Sequence, residues 1–240
     1  MSRKISFFRS ESAVSSTIGY ILVLGILSLT IGITYAAGYP TLQNAIDSSH
    51  MQNMESGFII LGKNLDRVTS NDAPSQSVEL KLKGGTLRTS REGMLTTTMT
   101  YVNGTSVTMD WEKMSISYSF RNREIGYECG GVMQTIDDTG YVAVTPGMVK
   151  GDPFIIPVNV LWGSDTGVAG DGLAKVTVIG GSPTLYQYDG VIKIDMTMTS
   201  DFYPAWDRYF KDTLGMTTVV DEPNGAVHAT YVSDSPGEYR

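Results

Sequence analysis

Cysteine occurs once in this 240-residue chain, at Cys129, and histidine twice, at His50 and His228. A lone thiol excludes an internal disulfide framework and any metal site built from several cysteines. Two histidines leave little for His-based catalysis, and neither belongs to a Cys/His ligand spacing. The chain also lacks a G-x-S-x-G elbow, a phosphate-cradling P-loop and an H-E-x-x-H pair. Positive charge is scarce: 18 Lys and Arg against 25 Asp and Glu give a net charge of −7. That balance argues against nucleic acid, which demands a basic patch. The widest gap is in charge of either sign, for no charged residue stands between Glu11 and Asp47.

What fills the gap is Val14 to Ala37, VSSTIGYILVLGILSLTIGITYAA. A bilayer core about 30 Å thick needs about 20 apolar residues in a helix, and this run supplies them. Its hydroxyls, Ser15, Ser16, Thr17, Ser28, Thr30 and Thr34, can bond back to the preceding turn. Residues 1–13 carry Arg3, Lys4 and Arg9 against Glu11, and no basic residue lies between the run and Asp47. The positive-inside rule then keeps the N-terminus in the cytoplasm and sends the rest outside. A secretory signal would share the basic start, with a small-residue cut at Tyr35-Ala36-Ala37. The run exceeds the usual signal core of about 7–15 residues, and its helical period continues past that cut.

Residues 38–72 read as an amphipathic spacer. Gly38 and Pro40 suggest a kink, after which Leu42, Ile46, Met51 (or His50), Met54, Phe58, Leu61, Leu65 and Val68 recur at helical steps. That stripe packs on the protein's own β domain or on neighbouring copies. After the linker NDAPSQ (71–76) the period falls to two. SVELKLK with a tight turn at Gly84-Gly85 into TLRTS, the hairpin around Asn103-Gly104, SISYSF, VMQTI with a turn at 137–140, FIIPVNVLW (154–162), AKVTVIG, VIKIDMTM and GAVHATYV all read as strands. The expected fold is α+β: a long N-terminal transmembrane and amphipathic helix, then an antiparallel β-rich, sandwich-like domain with one short helix. The divisions are 1–13 (leader), 14–37 (transmembrane helix), 38–72 (spacer and linker) and 73–240 (β-rich domain).

Candidate sites are few. Ser200 is placed to cap a helix whose Phe202, Trp206, Tyr209 and Phe210 share one side, a lid over the open end of the sheet. Trp206, Tyr209 and Trp162 are the candidate aromatic platform for a ligand. Asp165-Thr166-Gly167 and Asp138-Thr139-Gly140 would need to converge to make a paired-acid site, and 165–172 would be an acidic loop for calcium. Both read more simply as surface turns. Asn103-Gly104-Thr105 is a valid N-glycosylation sequon. Cys129 sits beside two glycines, which suggests a bulge or a close backbone approach. No metal, no cofactor and no enzymatic activity are expected.

The junction Ser12-Ala13-Val14-Ser15-Ser16-Thr17-Ile18-Gly19-Tyr20, behind a short basic leader, resembles archaeal type IV pilins and related surface proteins. IGYECGGVM (125–133) and FYPAWDRYF (202–210) are similar to uncharacterised archaeal proteins with a pilin-like start. The resemblance implies cleavage between Ala13 and Val14 by a prepilin peptidase on the cytoplasmic side. It also implies a membrane-anchored, non-enzymatic surface protein, either a minor filament subunit or a component of a pilus-like assembly. Its implied partners are the membrane, other copies or pilin-like subunits, and the peptidase. The alternative is a stand-alone anchored binding domain that does not polymerise.

Overall fold

The computed structural model of the chain describes residues 11–70, 72–151 and 153–233. Residues 1–10 of the expected leader (1–13), with Arg3, Lys4 and Arg9, lie outside the described residues, as does the tail from 234. The chain divides into a first unit ending at Met51 and a second beginning at Gln52. Helix α1 (Glu11–Thr69) contributes to both.

From Ile18 to Ile46, within the first unit, α1 stands with its large apolar side chains uncovered. Ile18 is 58 %, Leu24 66 % and Ile31 68 % exposed. Among the described residues this is the one helix long and apolar enough to cross a membrane, with a mean hydropathy of 2.0 in its best 18-residue window. The Thr30 hydroxyl donates to the Ile26 carbonyl at 2.8 Å, so it needs no partner outside the helix. Pro40 does not end the helix, although its ring removes one backbone donor.

From Gln52 onward the same helix is a structural element of the second unit. Met54, Phe58, Leu61, Leu65 and Val68 are all buried, whereas Leu42 and Ile46 are exposed. The stripe expected from Leu42 to Val68 is therefore two surfaces, and its later half packs on the protein's own sheet. A Cβ on Gly57 would lie 2.6 Å from the Leu80 side chain, and one on Gly62 would touch Val132 and Tyr127. Each fully buried Leu or Phe contributes roughly 1.5–3 kcal/mol of apolar transfer.

The strands are β1 (Ser75–Lys81), β2 (Thr86–Ser90), β3 (Met94–Tyr101), β4 (Ser106–Glu112), β5 (Ser115–Phe120), β6 (Arg123–Glu128) and β7 (Gly131–Ile136). They continue with β8 (Thr139–Val144), β9 (Thr166–Ala169), β10 (Leu173–Ile179), β11 (Val191–Thr199), β12 (Thr217–Asp221) and β13 (Ala226–Val232). Every strand pair is antiparallel. A six-stranded sheet has the order β8-β7-β6-β5-β2-β9, a five-stranded sheet β12-β13-β11-β3-β4, and β1 pairs with β10.

The six-stranded sheet is buried on both faces at its centre. Ile116, Tyr118, Ile125, Tyr127 and Val132 share one register face, and Tyr127 and Val132 meet α1 there. Gly126 and Met133 share the other, where a Cβ on Gly126 would strike the Phe202 ring. That second face meets helix α2 (Tyr203–Arg208), a π-helical turn (Tyr209–Thr213) and the inner side of the five-stranded sheet. Leu95, Met99, Met196, Met198, Val227 and Ala229 belong to that core. The architecture is α+β, with the two larger sheets packed as a sandwich.

Several expectations change. Gly84-Gly85 does not fold SVELKLK back on TLRTS. Lys83 and Gly84, both with positive φ, kink one strand path whose two parts, β1 and β2, pair with β10 and β9 in turn. FIIPVNVLW is not a strand; only Ile155 bridges to Val149, and Pro153 and Pro157 remove ladder donors on either side. The linker is shorter than 71–76, because β1 starts at Ser75. Residues 165–172 are more than a turn, since β9 pairs there with β2.

Phe58→Ala is expected to destabilise the β domain by about 3–5 kcal/mol and Leu61→Ala by about 2–5. Leu24→Ala, in the uncovered segment, is expected to leave it unchanged. Thermal unfolding of the full chain in detergent, followed by near-ultraviolet dichroism, separates the two cases.

Candidate functional site

The residues expected to form an aromatic platform do not meet at a surface. Trp206 is 0 % and Tyr209 1 % exposed, while Trp162 is 79 % exposed. Trp206 lies edge-on to Tyr209, and the Tyr209 hydroxyl donates to the Pro146 carbonyl at 2.8 Å. The helix expected as a lid lies within the sandwich, because its aromatic side is too apolar to leave at an open end. Gly140 of β8 makes that possible: a Cβ there would sit 2.1 Å from the Ala205 nitrogen. Ser200 is not the cap residue of α2; it stands two residues ahead of the cap position, Phe202, whose N–H donates to Ser200 Oγ at 2.9 Å.

That serine belongs to a cluster with little sequence signal. Lys113, just after β4, and Glu128, at the end of β6, form an ion pair at 2.7 Å with both side chains only 2 % exposed. Lys113 Nζ is also 3.5 Å from the Glu92 carbonyl. Glu128 Oε2 accepts from Ser200 Oγ at 2.6 Å and from Trp206 Nε1 at 3.0 Å. Both carboxylate oxygens are therefore occupied. The cluster joins segments far apart in sequence and presents no open position for a substrate, so it acts as a polar pin.

Cys129 and Gly130 form the two-residue turn between β6 and β7, both with positive φ, rather than a bulge. The thiol is buried, and burial followed by the Glu128 charge pushes it up from 9.0 to about 12. Burial likewise pushes the Tyr118 and Tyr209 phenols up to about 12.

The remaining candidates are dispersed. Asp138 precedes β8 and Asp165 precedes β9, and these strands are opposite edges of the six-stranded sheet. Five interstrand spacings of about 4.8 Å separate them by roughly 24 Å, so they cannot form a paired-acid site. Asp165 Oδ1 instead accepts from the Arg91 N–H at 3.1 Å. His228 Nδ1 lies 2.9 Å from Thr197 Oγ1, and His50 is buried on α1. Among the described residues no group of three His, Cys, Asp or Glu could hold a metal ion. A groove of about 260 Å³ is lined by Glu55, Gln134, Ile136, Tyr141, Val142 and Ala143. It is smaller than the usual ligand pocket of about 300–1,000 Å³ and holds one carboxylate without a nucleophile.

Asn103 stands exposed at the tip of the β3–β4 hairpin, and Ala13 and Val14 lie within the helical span of α1. A family model described as a family of unknown function, DUF7289, matches residues 12–237. No curated protein and no solved structure matches the chain.

Two outcomes follow from the buried groups. Lys113→Met alone is expected to cost about 3–5 kcal/mol, because it strands the Glu128 charge. Adding Glu128→Gln should recover part of that loss, since a neutral amide oxygen still accepts from Ser200 and Trp206; denaturant melts of both variants measure the coupling. Cys129 is expected to resist iodoacetamide at about pH 8 until the chain unfolds. The raised acids favour the folded state while protonated. Their stabilisation is full below about pH 9 and is lost as pH climbs toward 12, so Tm should fall over that window.

Proposed function

The chain belongs to the DUF7289 family, and we propose that it is a non-enzymatic, pilin-like surface protein anchored in the cytoplasmic membrane. Within that reading it is a minor filament subunit or an anchored component of a pilus-like assembly. The observation that carries this is the division of α1. Its residues from Gln52 to Val68 bury an apolar stripe in the β domain, whereas its apolar residues from Ile18 to Leu42 are left uncovered. The domain gains nothing from that uncovered surface, so its cover comes from lipid or from other helices.

The proposed orientation puts the N-terminus inside and residues 73–240 outside, supported by the basic leader and the charge-free run that follows it. Burial of Trp206 and Tyr209 removes the feature that would have favoured a ligand-binding domain.

Removal of the leader deletes three basic residues and one acid, leaving a helix freer to move from lipid into a bundle. Mass spectrometry of the N-terminal peptide, from protein isolated from its own membranes, is expected to find a chain starting at Val14. A start before Arg3 would overturn the processing step, and a start near Gly38 would overturn the anchor.

A further inference from the structure

We propose that Asn103 is the acceptor of an N-linked glycan, carried at the tip of the β3–β4 hairpin. The proposal rests on the reading that residues 73–240 stand outside the membrane. Asn103-Gly104-Thr105 is the one Asn-x-Ser/Thr triplet in the chain.

The hairpin presents that triplet in an acceptor-ready form. The Gly104 N–H donates to the Tyr101 carbonyl and the Tyr101 N–H to the Thr105 carbonyl, each at 2.9 Å, with Gly104 at φ +83. This is a three-residue loop closed by a left-handed glycine, rather than the two-residue turn that Asn-Gly suggests in sequence. Asn103 is consequently free of positive φ and turns its side chain back onto the loop. Its Oδ1 accepts from the Thr105 N–H at 2.9 Å and from Thr105 Oγ1 at 2.6 Å.

Both bonds end on the amide oxygen, and among the described residues none occupies Nδ2. Two donors on the oxygen draw electron density from the carbonyl and make the Nδ2 protons more acidic. The hydroxyl required at the third position of the triplet is thus the group that activates the acceptor. Neighbours leave room for a large donor: Val102 is 62 % exposed, and a Cβ on Gly104 would meet nothing within 4 Å. Below the tip, Thr100 and Ser106 at 3.0 Å and Thr98 and Thr108 at 2.9 Å hold the two strands together. The tip is therefore exposed on a braced stem.

The co-reactant is a sugar activated as a polyprenyl phosphate or diphosphate in the membrane, used by a membrane-bound transferase. Nδ2 attacks the anomeric carbon, a C–N bond forms as the C–O bond to phosphate breaks, and one Nδ2 proton leaves to a base of the transferase. The lipid-linked phosphate departs with the electron pair. A glycan here would also screen β4, the free edge of the five-stranded sheet, from pairing with other chains.

The test uses the full chain isolated from its native membranes, with mass spectrometry of the tryptic peptide 92–113. Wild type and Thr105→Ser are expected to carry a carbohydrate mass on Asn103, and Asn103→Gln is expected to return the peptide to its bare mass. A glycan that survives Asn103→Gln overturns the proposal, as does a bare wild-type peptide. Protease added outside intact cells separates the causes: a bare peptide from a digested domain sinks the glycan alone, and one from a protected domain sinks the outside location as well.

Discussion

A sheet buried on both faces has no solvent side to accept polar residues, and that constraint governs the β domain. Residues 52–69 of α1 cover one face of the six-stranded sheet, while α2 and the five-stranded sheet cover the other. Uninterrupted burial along Ser115–Tyr118 and Ile125–Glu128 is its signature. Once both faces are closed, short residues are required wherever a helix backbone comes close. Gly140 occupies such a contact, where a Cβ would strike the Pro204–Ala205 backbone, whereas a Cβ on Gly57 would displace the tip of the Leu80 side chain. Helix α1 is thus committed to the domain over its last turns, independently of anything its first turns do.

Closing the second face also decides what happens to charge inside it. Glu128 continues the alternation of β6 on the side of Gly126, so its carboxylate enters the interior and must be matched there. Lys113, Ser200 and Trp206 supply the match from separate segments. A buried ion pair of this kind adds little net stability over a well-packed apolar cluster, but it penalises any arrangement that separates its members. Here it ties the start of α2 to the junction of β4 and β5. The reactive-looking features near it, a lone thiol and a row of aromatics, are consumed by packing.

The functional reading follows from what packing leaves over. On residues 52–68 of α1 the large apolar side chains of the stripe are buried; from Ile18 to Ile46 every large apolar side chain is exposed. So long an exposed apolar surface is costly in water, and on the proposed reading lipid or companion helices remove that cost. The hairpin tip at Asn103 is the opposite case, a polar feature held away from the core and braced by a threonine ladder. Under the proposed function, the anchor and the tip are the two features that the chain's own fold does not use.

Legibility in the sequence followed the range of the interactions. The apolar run, the stripe on α1 and strands such as β1, β3, β11 and β13 were readable, because their signals are periodic and local. The turn at Asn103-Gly104 was placed correctly, though its type was not, since loop length depends on strand register. Strands β8, β9 and β12 were missed. TGYVAV hides behind a turn signal, TGVA is short and glycine-bearing, and TTVVD has little alternation to read. FIIPVNVLW was misread because Phe154, Ile156 and Val158 pack on the core while the segment makes only one isolated bridge, its prolines removing donors on either side. The Lys113–Glu128 pin had no local signature at all, as its members are brought together only by sheet order and by α2. By itself the sequence determined a membrane-length apolar helix and a β-rich domain, because hydrophobic periodicity is written residue by residue. Which half of the helix is buried, where the aromatics go and which charges meet were decided by tertiary structure alone, because those outcomes depend on which faces the sheets close.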